Sequence, residues 1–289
     1  MKLTSEQVKT LKSYIEQLKP TLAGKFFYHC LPFRKQVVLK NMRQVFAEFL
    51  SDQDITKLAK SFYSHVAISL KENILMRFMS MQQIKDKAEV KGAEYMYELV
   101  DNEIKGAIII TGHFGNWEFA PIAGILNFKE FQGRFYFVRK LIATKWVEKI
   151  LFRRYYQAGL NVIPKKNSLD QVCNALETNN AVVFVMDQHA SIKAKDGIMV
   201  DFFGKPAGTF RSPAMIARHT EVPVLACRSY RRQDGKHILE FFKRLPWIKA
   251  DSSREEIALN TLKYNEILEQ FVLEYPEQWL WMHKRWKTT

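Results

Sequence analysis

Through the first ninety residues, apolar side chains recur every three or four positions, the period of helices that bury one face. Val8, Leu11, Ile15 and Leu18 define a first helix, which Ser5 is expected to cap and Pro20 to end. Val38, Met42, Val45 and Phe49 define a second. After the polar "SDQD" come Ile55, Leu58, Phe62 and Val66 on a third. These stripes are read as core.

From Lys91 the rhythm changes to short, continuously apolar runs at 107–112, 134–139, 161–164, 181–188, 222–232 and 237–245, separated by helical segments. Strands without polar alternation are buried on both faces, which predicts an α/β fold with a largely parallel sheet flanked by helices. Residues 1–90 form its helical N-terminal layer and 91–289 the α/β core. No repeat or Gly/Ser linker divides the chain, so 1–289 is read as a single domain.

Charge narrows the partners. The formal net charge is +14, which suits an anionic partner such as nucleic acid, a phosphorylated small molecule, an acidic carrier protein or an anionic membrane surface. The basic residues are dispersed and match no nucleic-acid-binding signature, so nucleic acid is set aside. Cys30, Cys173 and Cys227 have no CxxC spacing and read as buried or free thiols of a reducing compartment. The polar N-terminus does not resemble an export signal. No stretch reaches the roughly 18 apolar residues of a membrane span, so membrane contact is expected to be peripheral.

The apolar run 107–112 leads straight into "HFGNWE" (113–118). Ligands of open α/β sheets bind beyond the carboxyl ends of strands, where this segment falls. On one continuous helix His113 and Glu118 would stand about 140° apart, so His113 must precede the helix. Gly112 and Gly115 permit the turn, Asn116 is a plausible cap, and Glu118 lies in the first helical turn. A carboxylate folded back on the imidazole would fix its tautomer and leave the other nitrogen as a general base; the plainer reading is a cap and a satisfied loop histidine. There is no Gly-x-Ser-x-Gly elbow and no neighbouring cysteine, so the nucleophile is expected to be a substrate hydroxyl. The remaining histidines are scattered and no HExxH occurs, so no metal is expected.

"GHFGNWE" resembles the His-x4-Asp/Glu motif of glycerolipid acyltransferases, in the glutamate form of the lipid A late acyltransferases. "LPFRKQVVLKNMRQVF" (31–46), "VFVMDQH" (183–189), "VDFFGKPAGTFRSPAMIA" (200–217) and "YPEQWLWMHKRWK" (275–287) resemble further segments of that family, in its order. The resemblance implies transfer of a fatty acyl chain from a thioester, on acyl carrier protein or CoA, to a hydroxyl of an anionic glycolipid, a lipid A precursor above all. His113 would be the general base, Glu118 its orienter, and no cofactor is implied. The location implied is peripheral, at the cytoplasmic face of a bacterial inner membrane. A non-catalytic lipid-binding protein of the same fold, or an acyltransferase acting on another bacterial glycolipid, would keep the same segments.

The remaining expected substrate contacts are Gly115, Asn116, Arg139, Asp187, Gln188, Thr209 and Arg211. Arg139 ends the run 134–139 and is assigned to phosphate or acyl-donor contacts. Asp187 and Gln188 end another run at the same sheet edge. The segment 201–213 is turn-rich and is read as an unusually aromatic loop. Its Phe202, Phe203, Gly204 and Thr209 are read as shaping a groove, with core anchoring the alternative for Phe202 and Phe203 and with Arg211 adding a phosphate contact. Trp279, Trp281, Lys284 and Arg285 are read as a membrane headgroup contact, with core packing as the alternative. The N-terminus departs from the family, whose apolar first helix is here short and polar.

Overall fold

The computed structural model describes residues 3–31, 33–101, 106–140, 144, 152–166, 168–194 and 196–287. Helix α1 (Ser5–Gln17) is capped by Thr4, not Ser5. Thr4 has a Gln three residues on, and the two side chains accept each other's backbone N–H in a capping box; Ser5 would face Val8, which has nothing to return. Helix α2 (Leu22–Cys30), which the sequence reading did not find, packs through Gly24, where an added Cβ would lie 2.6 Å from the Ser64 Cα. Helix α3 (Lys35–Phe46) carries Val38, Met42 and Val45, while Phe49 falls in the turn beyond it. Helix α4 (Asp52–Met76) is capped by the Ser51–Asp54 pair of the "SDQD" segment.

The sheet has seven described strands: β1 (Ala88–Lys91), β2 (Ala107–Thr111), β3 (Phe135–Arg139), β4 (Leu160–Pro164), β5 (Ala181–Val185), β8 (Val224–Arg231) and β9 (His237–Phe241). They lie in the order β1-β9-β8-β2-β5-β3-β4, and every neighbouring pair is parallel except β8 with β9. Alternation along β2 shows why its sequence is continuously apolar. Ile108 and Ile110 enter the core shared with the N-terminal helices and the C-terminal helix Ser253–Glu274. Ala107 and Ile109 enter a second core under the helix Phe119–Leu126. Strand β1, "AEVK", is too short and polar to show this pattern.

The segment 201–213 is mostly strand, not loop. Gly197–Phe202 (β6) and Lys205–Phe210 (β7) form a separate antiparallel hairpin, closed by Phe203 and Gly204. Both turn residues have positive φ, 54° and 65°, as a two-residue type I′ turn requires. A phenylalanine there hides the usual Asn-Gly signal. Phe202 and Phe203 are indeed core residues.

Candidate active site

Strands β2, β5 and β8 are adjacent and parallel, so their carboxyl ends open on one side. The pairing Thr111↔Val185 sets the chain beyond β2 against the chain beyond β5. Two residues further along each, His113 meets Asp187. The backbone N–H of His113 donates to Asp187 Oδ2 at 2.7 Å, and Nδ1 lies 2.8 Å from Oδ1. Trp279 Nε1 donates to the same carboxylate at 2.8 Å.

Asp187 is 2% exposed. Burial alone would raise its pKa, but the His113 charge and the hydrogen bonds from His113 and Trp279 outweigh it and push the value down to about 2. Burial likewise opposes charge on His113, yet Asp187 and then Glu118 raise its pKa above the ordinary histidine value. With Nδ1–H committed to Asp187, Nε2 of the neutral ring is an acceptor. It lies 3.3 Å from the Gln188 amide nitrogen, which also lies 3.1 Å from His283 Nε2.

This corrects the expected dyad, because the carboxylate that orients His113 is Asp187. Glu118 immediately precedes the helix Phe119–Leu126 and acts on His113 through charge. Its own pKa is raised by burial, against the charges of His113 and Arg139. The turn requires glycine at 115: Gly115 has φ +57°, and an added Cβ would stand 2.7 Å from the Ser229 carbonyl oxygen.

His113, Glu118 and Arg139 line a cavity of about 190 Å³. Behind them it is walled by Ile109, Ile125, Phe128, Phe135, Val183 and Phe241, between the sheet and the helix Phe119–Leu126. The Arg139 guanidinium stacks 3.4 Å from the centre of the Phe152 ring. A polar mouth over an apolar interior fits a ligand with a reactive head and a hydrocarbon tail.

Other expected contacts are structural. Gly115 donates its N–H to the Gln278 carbonyl, and its own carbonyl lies 3.0 Å from His65 Nε2. Asn116, 1% exposed, accepts the Phe119 N–H as a cap and donates to Glu72 Oε2 at 2.9 Å. Thr209 is fully buried and accepts from Arg285 Nη2 at 2.7 Å. Arg211 immediately precedes the helix Ser212–Thr220 and does not line the cavity.

The headgroup assignment of the C-terminus is overturned for Trp279, Trp281 and Arg285, which are 1%, 0% and 0% exposed. Trp279 packs on Phe202 and Trp281 on Phe46, and Arg285 also donates to the Gln188 carbonyl at 3.2 Å. Lys284 alone of the four is exposed.

A network that sequence reasoning missed lies behind the loop. His65 Nε2 faces the Gly115 carbonyl, and its Nδ1 lies 3.0 Å from Arg231 Nη1, so the ring is neutral with its proton on Nε2. Burial, with the Arg231 charge, pushes its pKa down to about 3. Arg231 Nε donates to Glu72 Oε1 at 2.8 Å. Burial would raise Glu72, but hydrogen bonds from His237 and Arg231 hold it near a pKa of about 2. The only sequence signal is that His65, Ser69 and Glu72 sit at i, i+4 and i+7, which places them on one face of α4.

Known proteins give the site a context. A phosphatidylinositol mannoside acyltransferase of Mycolicibacterium smegmatis is 18% identical over 216 residues, 72% of this chain and 65% of its own length, so the chain spans just under two thirds of that relative. A lipid A biosynthesis palmitoleoyltransferase of Escherichia coli is 21% identical over 256 residues, 88% of this chain and 79% of its own. Among solved structures, the 1-acyl-sn-glycerophosphate acyltransferase of Thermotoga maritima aligns over 94% of this chain and 98% of its own at 16% identity, with a TM-score of only 0.39. Residues 12–288, nearly the whole chain and every residue of the site, match one family description, and the protein belongs to the bacterial lipid A biosynthesis acyltransferase family.

Proposed function

We propose that the protein transfers a fatty acyl chain from an acyl thioester to a hydroxyl of an anionic glycolipid, with His113 as general base and Asp187 as the carboxylate that orients it. The observation that carries this reading is the His113–Asp187 pair at the mouth of an apolar cavity. His113 Nε2 takes the proton of the acceptor hydroxyl as its oxygen attacks the thioester carbonyl. The tetrahedral intermediate then expels the thiolate, which recovers that proton from the imidazolium. Asp187, and at longer range Glu118, stabilise the imidazolium between the two steps. General base catalysis of this kind contributes a factor of about 10² to 10⁴.

The cavity would hold the acyl chain, and Arg139 would meet a phosphate of donor or acceptor. A phosphopantetheine thioester, on acyl carrier protein or CoA, satisfies the donor requirements. The first candidate acceptor is a lipid A precursor, at the cytoplasmic face of a bacterial inner membrane; the similarity to a phosphatidylinositol mannoside acyltransferase makes a mannosylated lipid the second. The test is acyl transfer by purified protein from acyl carrier protein and CoA thioesters to both acceptors, beside His113→Ala and Asp187→Asn. Transfer lost in both variants supports the reading. No transfer from any donor by the folded wild type, or transfer that survives His113→Ala, overturns it.

A further inference from the structure

The described surface keeps several large apolar side chains in water, and most belong to two segments. Leu22, Phe26, Leu31 and Phe33 lie on α2 and the turn after it; Leu70, Ile74, Leu75 and Phe78 lie on the last turns of α4 and just beyond. Phe33 is 68% exposed and Phe78 82%. Leu70, Ile74 and Phe78 are spaced four apart and form one stripe. Glu72 falls on the opposite side of α4, where it meets Arg231.

Both segments are tied through intermediate residues to the mouth of the cavity. Arg34, next to Phe33, donates to the Met282 carbonyl at 3.1 Å, and the adjoining His283 ring lies 5.6 Å from that of His113. On the other side, Arg154 donates to the carbonyls of Arg77 and Met79 at 2.9 and 2.8 Å, and the neighbouring Tyr155 and Phe152 line the cavity.

Charge selects the occupant. From Leu22 to Lys35 there is no acidic residue, against Lys25, Arg34 and Lys35. From His65 to Ser80 the one acidic residue is the paired Glu72, against the exposed Lys71 and Arg77. Exposed aromatic and aliphatic side chains among cations suit an anionic lipid interface. No described helix is long and apolar enough to cross a membrane.

The geometry points to a bilayer-docking face, in which Leu31 and Phe33 on one side of the cavity mouth and Ile74 and Phe78 on the other enter the headgroup layer of an anionic membrane. A lipid could then pass from the bilayer to His113 without its chains crossing water. A lipid at this mouth accords with the acyltransferase reading, but vesicle binding needs no acyl transfer, so the two can fail separately.

The test is sedimentation with vesicles of phosphatidylethanolamine and phosphatidylglycerol, and with phosphatidylcholine vesicles. Wild type is expected to bind the anionic vesicles preferentially. Phe33→Gln/Phe78→Gln is expected to weaken that binding about tenfold or more, since each large apolar side chain removed from water contributes on the order of a tenfold factor. Leu169→Gln/Met199→Gln, which alters exposed apolar residues outside this rim, is expected to bind as wild type. Acyl transfer from detergent micelles, if measured, should be equal in all three proteins. Wild type that stays in solution, vesicle binding unaffected by the Phe pair, an equal loss in the control pair, or a dimer that only the Phe pair dissolves would each overturn the proposal.

Discussion

His113 and Asp187 are 74 positions apart in sequence and joined by two hydrogen bonds, one from the backbone N–H of His113 and one at its ring Nδ1. The double contact fixes the plane and the tautomer of the imidazole together. Asp187→Asn keeps the volume but lets an amide hydrogen face Nδ1, favouring the wrong tautomer. The turnover rate is expected to fall about 10⁴-fold, the scale seen when a triad carboxylate is replaced in this way. Glu118→Gln, which removes only a nearby charge, is expected to cost far less. Steady-state rates of the two variants check this, and the reverse order would return the orienting role to Glu118.

The acid limb of the rate profile should follow His113. Its base form is the neutral ring, so kcat/KM is expected to rise with pH through a pKa above the usual histidine value of about 6.5. Removing the Asp187 charge leaves burial to favour the neutral ring, so in Asp187→Asn the residual activity should show its acid limb at lower pH. A limb that stays in place would show that Asp187 does not set it.

Glu72 keeps the Arg231 guanidinium from being a buried, uncompensated charge. Glu72→Leu is expected to destabilise the protein by about 3–5 kcal/mol, readable as a lowered midpoint in urea. Because the folded pKa of Glu72, about 2, lies below the ordinary 4.5, its contribution is complete above pH 4.5 and is lost as pH falls toward 2. The difference between wild type and variant should therefore be constant from neutral pH to about 5 and shrink below 4.5.

The apolar walls of the cavity should decide which chains fit. Val183, on β5, faces it from the sheet. Val183→Phe is expected to lower kcat/KM for long acyl donors while sparing short ones, at an overpacking cost of about 1–3 kcal/mol. A series of donor lengths checks this; a uniform loss would mean that the chain lies elsewhere.

Much of this architecture was legible in one dimension because burial on both faces leaves a mark in every short window. The continuous apolar runs located β2, β3, β4, β5, β8 and β9, and the position of His113 just beyond β2 placed it at the carboxyl edge. Strand β1 left no mark because its four residues include Glu89 and Lys91. The hairpin β6–β7 was missed because Phe203 occupies a left-handed position that usually belongs to asparagine or glycine.

The partner of His113 could not be read the same way. Glu118 was the nearest carboxylate along the chain, whereas Asp187 is nearest in space only because β2 and β5 pair with Thr111 opposite Val185. The C-terminal tryptophans and Arg285 posed a similar ambiguity: aromatic and basic residues in alternation suit a lipid surface as well as a core. Only packing against Phe46 and Phe202 and hydrogen bonds to the carbonyls of Gln188 and Gly208 resolved it. The sequence by itself determined the long apolar strands of the sheet, the helical stripes and a histidine at the sheet edge, because periodic burial and turn chemistry act over a few residues. The tertiary structure decided which carboxylate holds that histidine, which cations are buried and where the apolar cavity lies, because contacts between distant segments depend on strand order and register.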